Sequence, residues 1–282
     1  MTEAIPSLEE FLAWPVDAIV PLAPATVIYV PGGTRRAAAL AGIAVESAAY
    51  VQESRRQLIA AVAELFQHGV RHVIMNAIVP ANWAEQGRFR QMLEEWVRWV
   101  IDGDAAREDY ARLGCGVRLL TDLPALDPIA AAFAEADPGD AAPTLWWQVV
   151  TDRETPWRWA LTAAAEHGAR TQAEAIRALY GRALPPAELL IGFGKPQIEP
   201  GIIPPLLVGE MACYWVQRPG YWLPTRLLRR MLYDLRYRRR TWVADKTGRA
   251  EEGLPFRSVW EQERILGEGR RLGPHWYMAD ES

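Results

Sequence analysis

The sequence predicts an α/β fold, cast as a single domain over residues 1–282: a mostly parallel central sheet with helices on both faces, plus a C-terminal arm over 242–282 that wraps the body. Three observations predict it. The hydrophobic pattern switches repeatedly between the strand and the helix period. The strand candidates are apolar runs rich in β-branched residues, as befits strands buried on both faces. No repeat, low-complexity block or linker divides the chain.

Taken in order, Thr26 to Val30 is the first buried strand. Leu58, Ile59, Val62, Leu65 and Phe66 recur at helical spacing, and Gly69 ends that helix. VRHVIMNAIV (70–79) is the second strand, and Phe89, Met92, Leu93, Trp96, Val97 and Val100 form the inner stripe of the next helix. GVRLLTD (116–122) and LWWQVVTD (145–152) are strands, separated by a helix around 125–136. Thr171 with Glu174 three residues on is a capping box for a helix ending near Tyr180. ELLIGFG (188–194) is a strand, 195–209 a Pro/Gly-rich loop and MACYWVQ (211–217) the last strand. Thr225 is expected to cap a long helix running through residues 226–240. From Trp242 the periodicity weakens, which is why this stretch is read as the arm.

Composition bounds the partners. The chain has 282 residues, 50% of them hydrophobic and 23% charged, enough to bury a substantial core. A net charge of -4 leaves no footprint for nucleic acid. All but Lys195 and Lys246 of the 31 basic residues are arginine, the side chain suited to bidentate phosphate contacts. Cys115 and Cys213 lie at no metal or redox spacing, and MTEAIPSLEEF lacks a basic region followed by an apolar run, so a reducing cytoplasm is expected. Val16 to Pro31 is apolar but too short to span a bilayer.

The candidate site is YVPGGTRRAA (29–38), where a strand ends and a helix begins. In an open parallel sheet, ligands bind outside the carboxyl ends of the strands. Glycines let successive backbone N–H groups face one concavity, and arginines add charge-assisted donors, which together suit a diphosphate. The run is neither a Walker A loop nor a dinucleotide fingerprint. A turn followed by two solvated arginines is the alternative reading of the same residues. The 13 tryptophans, among them Trp146, Trp147, Trp157, Trp159, Trp215 and Trp222, could wall a hydrocarbon pocket or simply fill the core. No Asp-Asp-x-x-Asp or Asp-x-Asp-Asp run is present, and the four histidines are scattered.

VIYVPGGTRRAA resembles the DGNRRWA signature of the cis-prenyltransferases, the undecaprenyl diphosphate synthase family, and more closely the DGTRRW form of the tuberculosinyl transferase branch. FLAWP (11–15), ELFQHGVRHVI (64–74), HGARTQAEAIRALYG (167–181), LLIGFG (189–194), LLRRMLYD (227–234) and ILGEGRRLGPHWYMAD (265–280) look like counterparts in that branch, in the same order. PANWAEQG (80–87) resembles the STENW motif of the chain-elongating enzymes.

The resemblance implies a terpene synthase that ionises a prenyl or bicyclic diterpenyl diphosphate and releases diphosphate with a terpene alcohol or hydrocarbon. Transfer of the terpenyl group to a nucleoside, and a non-catalytic partner subunit, stay open beside it. Gly32, Gly33, Thr34, Arg35, Arg36 and Asn82 are the implied diphosphate-binding set, and Tyr50, Arg35 and Arg36 the implied catalytic one. The same resemblance implies a homodimer and, through the apolar substrate, proximity to a membrane surface.

Two departures stand out. Both families place an aspartate before the Gly-Thr/Asn-Arg-Arg run, where it organises Mg²⁺ or assists the leaving group, whereas this chain has Gly32. Mg²⁺ is therefore in doubt and its ligands unknown, with Glu199 and Glu210 as substitute carboxylates or plain surface acids. GFGKPQIEP (192–200) stands where elongating enzymes carry RTSGE, which argues against condensation with isopentenyl diphosphate.

Overall fold

The computed structural model describes residues 5–278 apart from 243, 264 and 266, and the side chains of all of these except Phe89 and Glu94. The predicted contribution of the Phe89 side chain to its helix stripe, and positions 266, 279 and 280 of the tail block, lie outside the described residues. The apolar runs pair in one sheet: β1 (Thr26–Val30), β2 (His72–Ile78), β3 (Gly116–Thr121), β4 (Thr144–Val149), β5 (Ala187–Phe193) and β6 (Val208–Val216). All neighbours are parallel, in the order β3-β4-β2-β1-β5-β6.

Strand geometry sends successive side chains to opposite faces, and the two cores divide accordingly. Val27, Tyr29, Val73, Met75, Trp147, Leu189 and Ile191 enter one, whereas Ile28, Ile74, Trp146 and Leu190 enter the other. The adjacent Trp146 and Trp147 are thus split across the sheet, and no single wall contains both.

Helices cover the two faces: α1 (Leu8–Ala13), α2 (Val16–Ile19), α3 (Thr34–Leu40), α4 (Ala48–Gln67), α5 (Pro80–Trp83), α6 (Arg88–Asp102), α7 (Asp104–Leu113), α8 (Asp127–Glu135), α9 (Thr155–Glu166), α10 (Gln172–Tyr180) and α11 (Thr225–Tyr233). Leu58, Val62 and Leu65 of α4, Leu93 and Val97 of α6, and Leu228 and Leu232 of α11 pack with Trp147, whereas Ile176 and Tyr180 of α10 pack with Trp146. The α10 capping box forms as predicted, with the Glu174 N–H donating to Thr171 Oγ1 at 3.3 Å and the Thr171 N–H to Glu174 Oε2 at 3.1 Å.

The structure corrects four local expectations. Thr225 is the first residue of α11 and makes no side-chain cap. Pro224, with φ -70° and ψ 152°, supplies the extended cap residue instead. The regular helix stops at Tyr233 and continues as a π-helical turn over Asp234–Arg238. β6 begins at Val208, inside the stretch read as loop. Trp157 and Trp159 sit on α9, with Trp157 exposed, because Pro156 opens a helix where no apolar period announces one.

Past Arg240 come two short helices, α12 (Arg249–Gly253) and α13 (Arg257–Trp260), and a separate antiparallel hairpin of β7 (Gly269–Leu272) and β8 (His275–Met278). Among the described residues no helix is long and apolar enough to cross a membrane.

Candidate active site

The carboxyl ends of β1, β2, β5 and β6 meet around the Gly-Gly turn. Gly32 bridges to Gly220, whose N–H donates to the Gly32 carbonyl at 2.7 Å. Gly33 turns the chain at φ 70°, a left-handed conformation that glycine adopts without strain, and α3 follows. The turn walls a chamber of about 320 Å³ that also receives Asn76 from β2, Asn82 from α5, Lys195 from beyond β5, and Trp215 and Tyr221 from β6 onward.

Polar donors and cations dominate this head chamber, and among the described residues no acidic side chain lines it. Lys195 is exposed and has no ion-pair partner among the described residues. Asn82 Oδ1 accepts from the Val79 N–H at 3.3 Å, which leaves its amide nitrogen for a ligand. Asn76 is oriented by its Nδ2, which donates to the Gly201 carbonyl at 2.9 Å.

The two arginines differ. Arg35 lines the chamber, but its guanidinium forms a bidentate pair with Glu85 at 2.9 and 2.8 Å on the exposed side. Arg36 does not line the chamber. It folds behind the turn, where a Cβ on Gly33 would lie 2.5 Å from its Nη2 and one on Gly194 3.1 Å from the same atom. Glycine at 33 and 194 therefore makes room for this guanidinium as well as for the turn.

A second, apolar chamber of about 140 Å³ adjoins the first, sharing Thr34, Asn76, Ala77, Asn82 and Tyr221 with it. Leu93, Trp96, Val97 and Val100 of α6 form one wall and Trp147 the opposite one. The Trp147 indole N–H donates to Tyr110 Oη at 3.0 Å, and Tyr110 donates on to the Ile101 carbonyl at 3.0 Å, so the indole is held by its polar edge. Tyr50, buried, stacks at a tilt on Trp96 with centroids 5.5 Å apart, and its hydroxyl meets Thr34 Oγ1 at 2.8 Å. Burial, with the nearby Tyr50 adding to it, pushes the Tyr221 phenol well above the ordinary tyrosine range, so it stays protonated.

Of the residues singled out in the sequence, Gly32, Gly33, Thr34, Arg35 and Asn82 line the head chamber and Tyr50 the apolar one, while Arg36 stands behind the turn. Glu199 and Glu210 do not line the head chamber. Glu199 faces Arg153 at 3.5 Å and Glu210 is exposed on β6. Sequence reasoning missed Lys195, Asn76, Tyr221 and the lining role of Trp96. Lys195 had a signal, being one of only two lysines and placed directly after a strand. Trp96 was visible only as one member of a helix stripe, and Tyr221 had no local pattern at all.

The GFGKPQIEP stretch is closely packed at its first glycine. A Cβ on Gly192 would lie 2.2 Å from the Trp215 ring, so the indole occupies the space that a side chain there would need.

Mg²⁺ needs oxygen ligands, usually one or two carboxylates together with substrate phosphates. The residues here do not fit that requirement. Position 32 has no room for an acid, since its Cβ would meet the Phe193 carbonyl oxygen at 2.7 Å. Among the described residues no group of three or more His, Cys, Asp or Glu is placed to hold a metal.

No protein-family profile matches the chain. It is 41% identical over 280 residues to a (+)-kolavelool synthase from Herpetosiphon aurantiacus, covering 98% of this chain and 97% of that protein. It superposes on lavandulyl diphosphate synthase from Lavandula x intermedia, crystallised with dimethylallyl diphosphate, with a TM-score of 0.59 and 18% identity. A probable undecaprenyl diphosphate synthase from Campylobacter jejuni gives 0.55 and 15%. Each superposition covers 77% of this chain and 97% of the other. At these identities the two structures speak to the fold alone.

Proposed function

The chain belongs to the family of the (+)-kolavelool synthase, diterpene synthases built on the cis-prenyltransferase fold that act on a prenyl diphosphate, and from that premise we propose that it ionises a C20 diterpenyl diphosphate and quenches the cation with water to a terpene alcohol. One observation carries the reading. A chamber of hydrogen-bond donors and cations opens directly into an aromatic, apolar one, and the two share Thr34, Asn82 and Tyr221. Together they fall within the ~300–1,000 Å³ typical of small-molecule sites. An alcohol is preferred to a hydrocarbon because the 41% identical relative is named for one.

In this reading the diphosphate lies in the head chamber against Lys195, Thr34, the Asn82 amide and the backbone N–H groups that follow Gly33. These donors stabilise negative charge as it develops on the leaving oxygen, and preorganised donors in a water-poor site are effective at that task. Arg36, held behind the turn, adds positive potential from the second layer, and Arg35 closes the rim with Glu85. The terpenyl group lies in the apolar chamber, where the faces of Trp96, Trp147 and Tyr50 stabilise the allylic cation. GFGKPQIEP standing in place of RTSGE, with Trp215 packed against Gly192, supports ionisation of one substrate over joining two.

We place the enzyme in the cytoplasm as a homodimer, near a membrane surface through its apolar substrate, and read residues 1–282 as one domain with 242–282 as its arm. The deciding experiment incubates purified protein with linear and bicyclic C20 diphosphates, follows inorganic diphosphate and identifies products by mass spectrometry. Release of diphosphate with a C20 alcohol is expected. Failure to release diphosphate from any member of the panel overturns the reading.

A further inference from the structure

Behind the Thr34–Tyr50 hydrogen bond lies a third, much smaller cavity of about 10 Å³, bounded by Glu53, Ser54 and Gln57 of α4, by Gly220 and Tyr221, and by Thr34 and Tyr50 themselves. A cavity measured this way holds one water molecule at roughly 10–15 Å³, provided that polar partners surround it. They do. Gln57 Nε2 is taken up by Glu53 Oε1 at 2.7 Å, and Gln57 Oε1 lies 3.4 Å from the Cβ position that Gly220 leaves vacant. The cell is open for a reason written in the backbone: a Cβ on Gly220 would project into it and meet the Ala37 Cβ at 2.9 Å.

Two neighbours give the cell a use. It shares Thr34, Tyr50 and Tyr221 with the apolar chamber, and it shares Ala37, Glu53, Gln57 and Tyr221 with an open groove of about 640 Å³ on the far side of Tyr221. Once substrate fills the head and apolar chambers, its own diphosphate stops the mouth through which it came. The groove stays open to solvent, so water reaches the cell from the other side.

We propose that this cell, walled by Thr34, Tyr50, Gln57 and Gly220, is a single-water site that meters the nucleophile of the reaction. The proposal rests on the two chambers being the ionisation site. An apolar chamber that excludes water protects the cation from indiscriminate capture, and left alone such a cation loses a proton to an alkene. A single water held beside it converts that fate into one hydration event. The substrate C–O bond breaks with its electron pair on the diphosphate. The water oxygen donates a lone pair to form the new C–O bond. The proton of the resulting oxonium goes to an oxygen of the released diphosphate, giving alcohol and hydrogen diphosphate. Glu53, pinned by Arg56 at 2.8 and 2.7 Å and held at about 2, stays an acceptor and orients the water rather than titrating.

The test uses Gln57→Met, which removes the cell's free amide oxygen at constant volume, and Ala37→Val, which narrows the passage from the groove. Neither residue lines the head or the apolar chamber. With a C20 diphosphate that the wild type turns over, the alcohol-to-alkene ratio is expected to fall roughly tenfold, the effect of losing one hydrogen-bond partner, while diphosphate release stays within about threefold. An unchanged ratio in a folded variant overturns the proposal, and either variant suffices should the other fail to fold. A crystal structure of the wild-type chain that resolves waters provides the second arm. One ordered water in the cell supports the proposal, and a dry cell overturns it whichever substrate is used. Loss of diphosphate release in the wild type, by contrast, counts against the ionisation reading and not against the cell.

Discussion

The hydroxyls of Thr34 and Tyr50 stand 2.8 Å apart, joining the first turn of α3 to the first turn of α4 at the seam between the polar and apolar chambers. Neither residue needs the other for its own helix, since Ser47 caps α4 and Gly33 leads into α3. The bond therefore serves the site. It fixes the Tyr50 ring against Trp96 on one side and the Thr34 hydroxyl at the edge of the head chamber on the other.

Tyr50→Phe keeps the ring and its packing but removes this bond. Thr34 lines the open head chamber, where solvent can replace the lost partner, so the melting temperature is expected to change little, whereas loss of the positioned hydroxyl pair is expected to lower turnover by about 10-fold. Single-turnover diphosphate release on wild type and variant checks it. A variant that melts much earlier and ionises normally would assign Tyr50 to the core.

Lys195→Met and Glu85→Gln separate the two exposed cations. Lys195 has no competing carboxylate among the described residues, so, if it holds the diphosphate as proposed, its loss is expected to weaken binding of inorganic diphosphate roughly tenfold by calorimetry. Glu85→Gln instead removes the bidentate carboxylate partner of Arg35. A surface pair contributes little to stability, so the variant is expected to fold normally and to bind diphosphate at least as tightly as wild type. Weaker binding would show that Glu85 positions Arg35.

The sheet and the turn were legible because each is written locally. β1 is an uninterrupted apolar run matching the predicted Thr26 to Val30 residue for residue, and Gly32-Gly33-Thr34 announces a turn wherever it stands. What escaped was set by contacts distant in sequence. Tyr221 follows Gly220, which bridges to Gly32, and Trp96 lines a chamber that Trp147 and Tyr50, distant in sequence, also line. Gly32 read as a lost acid. In the structure it is equally a steric requirement, imposed by a carbonyl of β5 that no pattern near residue 32 reveals.

His72 carries a pH dependence of stability. It is buried at the start of β2, and burial first, then the positive charges of Arg182 and Arg71, hold its imidazole down at about 4 against 6.5 in the unfolded chain. The unfolded state therefore binds the extra proton between these values. Its stabilising contribution is complete above pH 6.5 and is lost as pH falls toward 4, by ~3 kcal/mol in all. Urea titrations at pH 7.5 and 4.5 should reveal the slope, and His72→Phe should flatten it. An equal slope in the variant would assign the acid lability to groups other than His72.

Gly32→Asp is the substitution that the family pattern invites, and the structure argues that it does not restore a metal site. Its Cβ would arrive 2.7 Å from the Phe193 carbonyl oxygen, a backbone atom that cannot swing aside as a flexible side chain could. Forcing it in is overpacking, with an expected loss of ~1–3 kcal/mol of stability. The new carboxylate would also lack a second protein ligand among the described residues, none of which brings another acid to the chamber. The expected outcome is a variant that melts earlier and shows no new response to Mg²⁺. In the wild type, where Lys195 and the backbone donors supply the positive potential, chelation is expected to change diphosphate release by less than about threefold. Calorimetric binding of inorganic diphosphate with and without Mg²⁺ gives a reading free of turnover. A wild type that binds diphosphate only with Mg²⁺ present, or a Gly32→Asp protein that gains stability on adding it, would mean that the turn opens far enough to admit an acid and a cation.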